Sequence, residues 1–312
     1  MATSNGVGIA EPGPYAVDPG HGEHDKRRRR INRRVVLGLL IPGAIGLLLS
    51  YILPLLWILR MSFNQGGPNG LVIETFSLES FVSTLTDSYY LEVTLNTFRM
   101  GLLVAVFCVI VSYPIALFLA RTTSKWKGVL TALAIAPLLT SSVVRSYGWI
   151  VILGSDGVVN SSLRDLGLIS TPIRLTNNMT GVVIGLVEIF MPYAILVMIS
   201  GFGQLNRQLE QAAASLGASA FKVFTKITLR LSLPGILTAF LLVFVLSIST
   251  FVTPRLLGGG AVRVLATEIY DQANVLINWP LAAALSVIVF ALFALVISMY
   301  QRLIRRVEGR NE

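Results

Sequence analysis

Charge is scarce in this chain: Asp, Glu, Lys and Arg make up 13% of its 312 residues, against about 25% in a typical soluble domain. Hydrophobic residues fill 54%, and the mean hydropathy is +0.72, so an integral membrane protein is expected. Cysteine occurs once, as Cys108 inside an apolar run, which excludes an internal disulfide and a cysteine-based metal site and leaves a small buried side chain. Both histidines, His21 and His24, stand ahead of the first apolar run; they cannot complete a hydrolase triad and read as solvated rather than metal-binding. There is no G-x-x-x-x-G-K-[ST] phosphate loop and no H-E-x-x-H pair, which excludes ATP hydrolysis by this chain and a zincin site. A channel is disfavoured too, because no filter-like repeat or ring-forming acidic motif occupies a span. No catalytic residue, metal or cofactor is assigned, and any energy the protein uses must come from an ion gradient or from another polypeptide.

What the chain does have is six apolar runs, about 35–57, 100–120, 130–153, 181–202, 235–254 and 281–304, each near the roughly 20 residues needed to cross a hydrocarbon core as a helix. The expected fold is all-α: a polytopic membrane protein with six transmembrane helices. Residues 1–30 read as a basic tail, disordered over its Gly- and Pro-rich first 25 residues, and 31–312 as one transmembrane domain. Lys and Arg are distributed asymmetrically between the runs. Eighteen lie before the first run, in 121–127, in 207–230 and in 302–310, against four in the alternate loops (Arg164, Arg174, Arg255, Arg263). The positive-inside bias places both termini and the 205–236 loop in the cytoplasm. The net charge of +9 is therefore mainly topological. The cluster from Lys26 to Arg34 reads as an orientation signal or a contact with anionic membrane lipid, and not as a nucleic-acid site. The run after it is too long for a cleavable export signal, and no small-residue cleavage site follows.

The 205–236 loop, LNRQLEQAAASLGASAFKVFTKITLRLSLPGI, is amphipathic. At about 100° per residue, Leu205, Leu209, Ala212, Ala213 and Leu216 share a stripe, with Arg207, Glu210 and Gln211 outside it. Gly217 stands where the stripe stops and marks a turn. A second helix follows, gathering Phe221, Phe224, Ile227 and Leu231 on one side and Lys222, Lys226 and Arg230 on another, and Pro234-Gly235 leads into the fifth run. The alternative to a partner-docking loop is a helix lying on lipid.

The loop resembles the cytoplasmic motif of bacterial ABC-importer permeases, E-A-A-x-x-L-G-A with a downstream L-P-x-x-x-P-G-I. The matching residues are Ala212, Ala213, Leu216, Gly217, Ala218, Phe224, Ile227, Leu229, Pro234, Gly235 and Ile236. Gln211 stands where the family usually has Glu, and Arg230 where it usually has Pro. Asn96-Thr97, Tyr113 to Ala116, Val144 to Trp149 with Leu153, Gly154 and Asn160, Phe251 to Pro254 with Leu256 to Gly260, Asn278 to Pro280 and Ala282 to Ala284 are similar to the spermidine/putrescine-like group of these permeases. The resemblance covers about 35–305. It implies a type I ABC-importer permease fold in a bacterial inner membrane, with a cytoplasmic coupling helix docked on an ATPase subunit. It also implies two such ATPase subunits, a second and usually different permease chain, and an extracytoplasmic substrate-binding protein. The coupling residues implied are Glu210, Gln211, Ala212, Ala213, Leu216, Gly217, Ala218 and Phe224. The solute implied is polyamine-like; ferric ion, thiamine, an opine or an amino-acid derivative are the alternatives, and a gradient-driven secondary transporter would need inverted repeats with broken helices that the chain does not display.

Glu188 is read as the carboxylate well inside a span, either lining the solute pathway or paired with Arg145. Tyr147, Trp149, Tyr270, Asp271 and Trp279 lie near the extracytoplasmic ends of spans or in the loop before the sixth, where aromatic faces and a carboxylate suit ammonium groups and where an interfacial aromatic belt is equally at home. Arg255 and Arg263 could meet an acidic rim of the binding protein. Two substitutions separate the roles in the coupling loop. In ATP-driven uptake assays, Gln211→Glu is expected to stay within a few-fold of wild type, whereas Gly217→Leu is expected to uncouple transport; near-normal uptake by Gly217→Leu removes the assignment.

Overall fold

The computed structural model describes residues 21–204 and 207–308. Residues 1–20, most of the expected tail, and Leu205 of the coupling stripe lie outside the described residues. Helix α1 (His21–Met61) contains Pro42 and Pro54, and its stretch Leu40–Met61 is long and apolar enough to cross a membrane. The chain divides into two compact units, one ending at Trp57 and the other running from Ile58.

The second unit opens with a small hairpin, in which β1 (Gln65–Gly66) pairs antiparallel with β2 (Val72–Ile73). Helix α2 (Glu79–Thr86) follows, and then α3 (Ser88–Arg121). Helix α3 begins well before the apolar run that announced it, because Asp87 caps it by accepting the Tyr89 N–H at 2.9 Å. Its 34 residues make a rod about 50 Å long at 1.5 Å per residue, longer than the roughly 30 Å hydrocarbon core.

The core lies where α3, α7 (Met179–Gly201) and α10 (Leu229–Ser249) pack on one another. Met100, Val104 and Cys108 of α3, Leu186, Ile195 and Met198 of α7, and Ala239 and Val243 of α10 are among its buried residues. Small residues set the spacing. A Cβ on Gly101 would lie 2.9 Å from Ile248, and one on Gly201 would lie 2.6 Å from the Gly235 Cα, so α7 and α10 touch backbone to backbone there.

The third expected span is not one helix. Helix α4 (Lys127–Ile135) runs into a 3₁₀ turn, Ala136–Leu139, and a new helix, α5 (Ser142–Leu153), starts after it, followed by α6 (Val158–Asp165). The halves Lys127–Leu139 and Ser142–Asp165 meet at 94°. Pro137 has no N–H to extend a helix, Thr140 is extended at ψ 137°, and the Ser141 side chain caps the new helix through the Val143 N–H. An apolar run reads the same on both sides of such a break. By length and composition, five described helices qualify as spans, and six if the bent pair counts as one.

The fifth span also departs from expectation. Helix α9 (Ala220–Val223), a π-helical turn Phe224–Thr228 and α10 form one helical run, Ala220–Ser249, with Pro234 inside it rather than ahead of it. Transmembrane helices tolerate an interior proline because neighbouring groups satisfy the freed carbonyl. The run stops at Ser249, since Thr250 is extended at ψ 137°, and Pro254 belongs to the short helix α11 (Val252–Leu257). Between α7 and α9 lies α8 (Arg207–Ser215), and α12 (Leu265–Asn274) and α13 (Trp279–Glu308) complete the chain.

The Gly201–Gly235 crossing leaves no room for a branched side chain, and overpacking costs about 1–3 kcal/mol. Gly201→Val is expected to lower the thermal midpoint of the detergent-solubilised protein, followed by size-exclusion recovery after heating. Gly128→Ala, where a Cβ meets nothing within 4 Å, should leave it unchanged.

Candidate functional site

Helix α8 ends in a glycine turn built by backbone bonds. Gly217 has φ +83°, in the left-handed region. The Ala218 N–H bonds back to the Ala213 carbonyl at 3.1 Å and the Gly217 N–H to Ala214 at 3.0 Å, the pair of contacts that closes a helix around a left-handed residue. A Cβ on Gly217 would meet nothing within 4 Å, so its requirement is conformational, not steric. Ser219 then caps α9 by accepting the Lys222 N–H at 3.4 Å.

The apolar stripe of α8 is its open face: Leu209, Ala212 and Leu216 are exposed, Leu216 by 88%, and Phe221 beyond the turn by 75%. Gln211 is exposed beside them, while Ala213 and Ala218 are half-buried. Glu210 faces the other way. Its carboxylate bonds to the Arg121 guanidinium at the end of α3 and accepts the Thr228 hydroxyl at 2.6 Å. Phe224 sits edge-on to Tyr113 of α3 at 6.1 Å between centroids, and the Tyr113 hydroxyl pairs with Ser232 at 3.2 Å.

Glu188 projects from α7 into a cavity of about 600 Å³ between α3 and α7, lined also by Arg99, Trp149, Thr180 and apolar side chains that include Leu103, Phe107 and Val187. The Trp149 Nε1–H donates to Glu188 Oε2 at 3.2 Å. The Arg145 Nε approaches the same oxygen at 3.5 Å. That approach is electrostatic only, as Nε has no hydrogen-bond acceptor. Arg145 is instead anchored by Nη1, which donates to the Pro137 carbonyl at 2.8 Å, a backbone oxygen at the broken span. Glu188 is thus paired with Arg145 and also lines a cavity. Arg99, in the same wall, carried no distinguishing sequence signal.

The remaining pathway candidates do not join this cavity. Tyr147 is 55% exposed on α5 and is not among the residues lining it. Tyr270 and Asp271 lie on α12, beside the Ser88 end of α3. Asp271 Oδ2 accepts from Arg255 at 2.8 Å while Oδ1 is buried without a partner, and Tyr270 stacks on Phe251 at 5.0 Å. They neighbour a second cavity, of about 410 Å³, whose lining includes Tyr89, Arg255, Arg263, Glu268 and Asp271. Glu268 is 6% exposed and accepts from the Tyr89 hydroxyl at 2.6 Å and from Gln272 at 2.9 Å. Sequence reasoning missed it, because it falls in a polar segment between spans whose packing against α3 no periodicity announces. Trp279 is exposed at the start of α13.

Several residues singled out by resemblance are fixed points of the fold. Thr97 accepts the Leu265 N–H at 2.8 Å. The Ser146 and Thr253 hydroxyls pair at 3.0 Å. Buried Asn160 donates to the Gly154 and Ile173 carbonyls and accepts the Ile173 N–H, stapling the loop after α6.

Comparison with known proteins agrees with this architecture. Residues 112–309 match the family described as binding-protein-dependent transport system inner membrane component, and the chain belongs to that family. It is similar to the spermidine/putrescine transport system permease protein PotB of Haemophilus influenzae, with 32% identity over 82% of this chain and 89% of that one. PotB of Escherichia coli K12 is 33% identical over 85% of this chain and 96% of that one. Among solved structures, a chain of a bacterial alginate ABC transporter in complex with an alginate pentasaccharide-bound periplasmic protein has the same fold, at a TM-score of 0.72 and 18% identity over 89% of this chain and 97% of that one. The chain is thus a multi-pass permease subunit of an ABC importer of the inner membrane.

Arg145 adds a second donor to the Pro137 carbonyl at the broken span, which also accepts the Thr140 N–H, and partly offsets the charge of Glu188. Arg145→Met is expected to destabilise the solubilised protein by roughly 1–3 kcal/mol, less than the loss of a fully buried partner because the Glu188 side chain is 30% exposed. Glu188→Gln should cost little on its own. The double variant should recover part of the Arg145→Met loss, read as a rise in thermal midpoint.

Proposed function

We propose that this permease forms the membrane pathway for a polyamine-like organic cation, delivered by an extracytoplasmic binding protein and moved at the expense of ATP hydrolysed by two cytoplasmic ATPase subunits. A second, different permease chain completes the pathway. The observation that carries the solute assignment is the likeness, over more than four-fifths of the chain, to relatives named for spermidine and putrescine. The chemistry of the α3–α7 cavity supports it. A polyamine is a methylene chain between ammonium groups, and this cavity offers apolar walls, a carboxylate and an indole. Glu188 receives an ammonium that displaces the loosely held Arg145 Nε, and Trp149 adds an aromatic face. Arg99 in the same wall keeps the hold weak, and a pathway requires that the solute leave as readily as it enters.

Orientation follows from the loop charges together with the packing. Arg121, at the end of α3, meets α8, whereas Tyr89, at its start, meets Glu268 of α12. The Lys- and Arg-rich segments 121–127 and 207–230 meet at the α8 end, which supports a cytoplasmic position for α8; the same charge count along the chain puts both termini on that side. The open face of α8 presents Leu209, Gln211, Ala212 and Leu216 to an ATPase cleft, and Gly217 sets the angle at which they are presented. Closure of the ATPase pair around ATP then moves α8 as a rigid body, together with the span that follows it.

The test is uptake of radiolabelled spermidine into proteoliposomes holding the permease pair, the ATPase and the binding protein. ATP-dependent uptake, competed by putrescine and lowered tenfold or more by Glu188→Ala, is the expected result. ATP-driven uptake of thiamine or ferric ion without spermidine would overturn the solute and leave the permease role standing.

A further inference from the structure

Helix α8 buries none of its residues, so apolar packing does little to hold it, yet its carboxylate is turned inward. Glu210 Oε1 accepts from two elements at once: the Arg121 guanidinium at the end of α3 and the Thr228 hydroxyl in the π-helical turn that leads into α10. Arg121 also reaches the Thr228 hydroxyl oxygen, at 3.4 Å, which closes the triangle. Thr228 is 2% exposed, and the Glu210 and Arg121 side chains are 18% and 30% exposed. Along the chain α8 lies between α7 and α10; α3 is joined to it through these side chains.

We propose that Arg121, Glu210 and Thr228 form a strut that carries displacement of α8 directly into α3. This rests on the reading of α8 as the ATPase-docking helix. The strut matters because of what α3 does elsewhere. Its Arg99, Leu103, Phe107 and Val111 form a wall of the cavity that holds Glu188. A push on α8 that reached only α10 would turn one helix of the core; shared through the strut, it moves the wall of the cavity with it. The site of attachment suits the task. Arg121 stands in the last turn of α3, where a cation also complements the helix dipole. Thr228 lies in a π turn, closed by the Leu229 N–H bonding to the Phe224 carbonyl, and such turns occur often at working positions in helices. The three are positioning residues, since they act through α3 on the cavity. Partly exposed ion pairs contribute little to stability, so loss of transmission can be read apart from loss of folding.

The test follows the α3 wall itself in the complex of permease pair and ATPase, with no need to know the solute. Phe107→Cys places a thiol in the cavity wall, and its maleimide labelling rate is measured without nucleotide and with a non-hydrolysable ATP analogue. With the strut intact, the nucleotide is expected to change the rate fivefold or more. Arg121→Gln, Glu210→Gln and Thr228→Val should each shrink that change below twofold while the ATPase still co-purifies. The charge-swapped pair Arg121→Glu with Glu210→Arg should restore at least half of it, a rescue that a merely local packing role would not give. A full response in the single variants, or no rescue by the swap, overturns the strut and leaves docking intact. Loss of ATPase co-purification in Glu210→Gln but not in Arg121→Gln also overturns it, because Glu210 would then be a direct ATPase contact. Failure of the unaltered chain to co-purify with the ATPase removes the docking reading and the strut together.

Discussion

Hydrocarbon offers no water to a stranded polar group, and the arrangement of this molecule follows from that constraint. Among the described residues, several hydroxyls and amides within the spans take a partner from another turn or another helix. Thr97 bonds to its own helix and receives the Leu265 N–H of α12; Tyr113 of α3 reaches Ser232 of α10; Ser146 of α5 meets Thr253 of α11. Each of these bonds ties two elements whose apolar surfaces alone would allow sliding. Apolar packing draws α3, α7 and α10 together, and the polar pairs select one register among many.

The same constraint explains the bent pair. A broken helix deprives backbone carbonyls of their helical donors, and here the Pro137 oxygen accepts both the Thr140 N–H at 3.1 Å and the Arg145 guanidinium at 2.8 Å. That guanidinium is itself a charge in an expensive place, and Glu188 across the gap on α7 offsets it. A local feature of the chain, one proline in an apolar run, thereby leads to a charged pair beside a cavity. The glycines do the complementary work. Gly201 and Gly235 bring α7 and α10 into backbone contact on the two chain segments that flank α8.

Much of this was legible in the sequence, and the reasons differ from residue to residue. Apolar runs are a property of composition along the chain, so spans could be counted without coordinates. Gly217 was legible because a left-handed turn has few chemical solutions. The 94° break was hard to read, since the run from 130 to 153 is apolar on both sides of Thr140, Ser141 and Ser142 and three small polar residues do not by themselves end a span. Pro234 misled in the opposite sense: proline usually marks a boundary in water, yet here a helix continues through it. Glu210 and Glu268 show the deeper limit. A helical wheel tells which residues share a face, but which face turns inward depends on what the rest of the chain brings alongside. Arg121 and Tyr89 come from α3, distant in sequence from either acid.

Cys108 closes the picture from an unexpected side. The one sulfhydryl in the chain lies at 0% exposure in the α3–α7–α10 core, beyond reach of reagents that need a water-accessible thiolate. Toward such chemistry the native chain is blank. Any cysteine placed on its surface or in its cavities becomes a reporter without competition, so each helix can be followed in turn while the original packing stays as evolution left it.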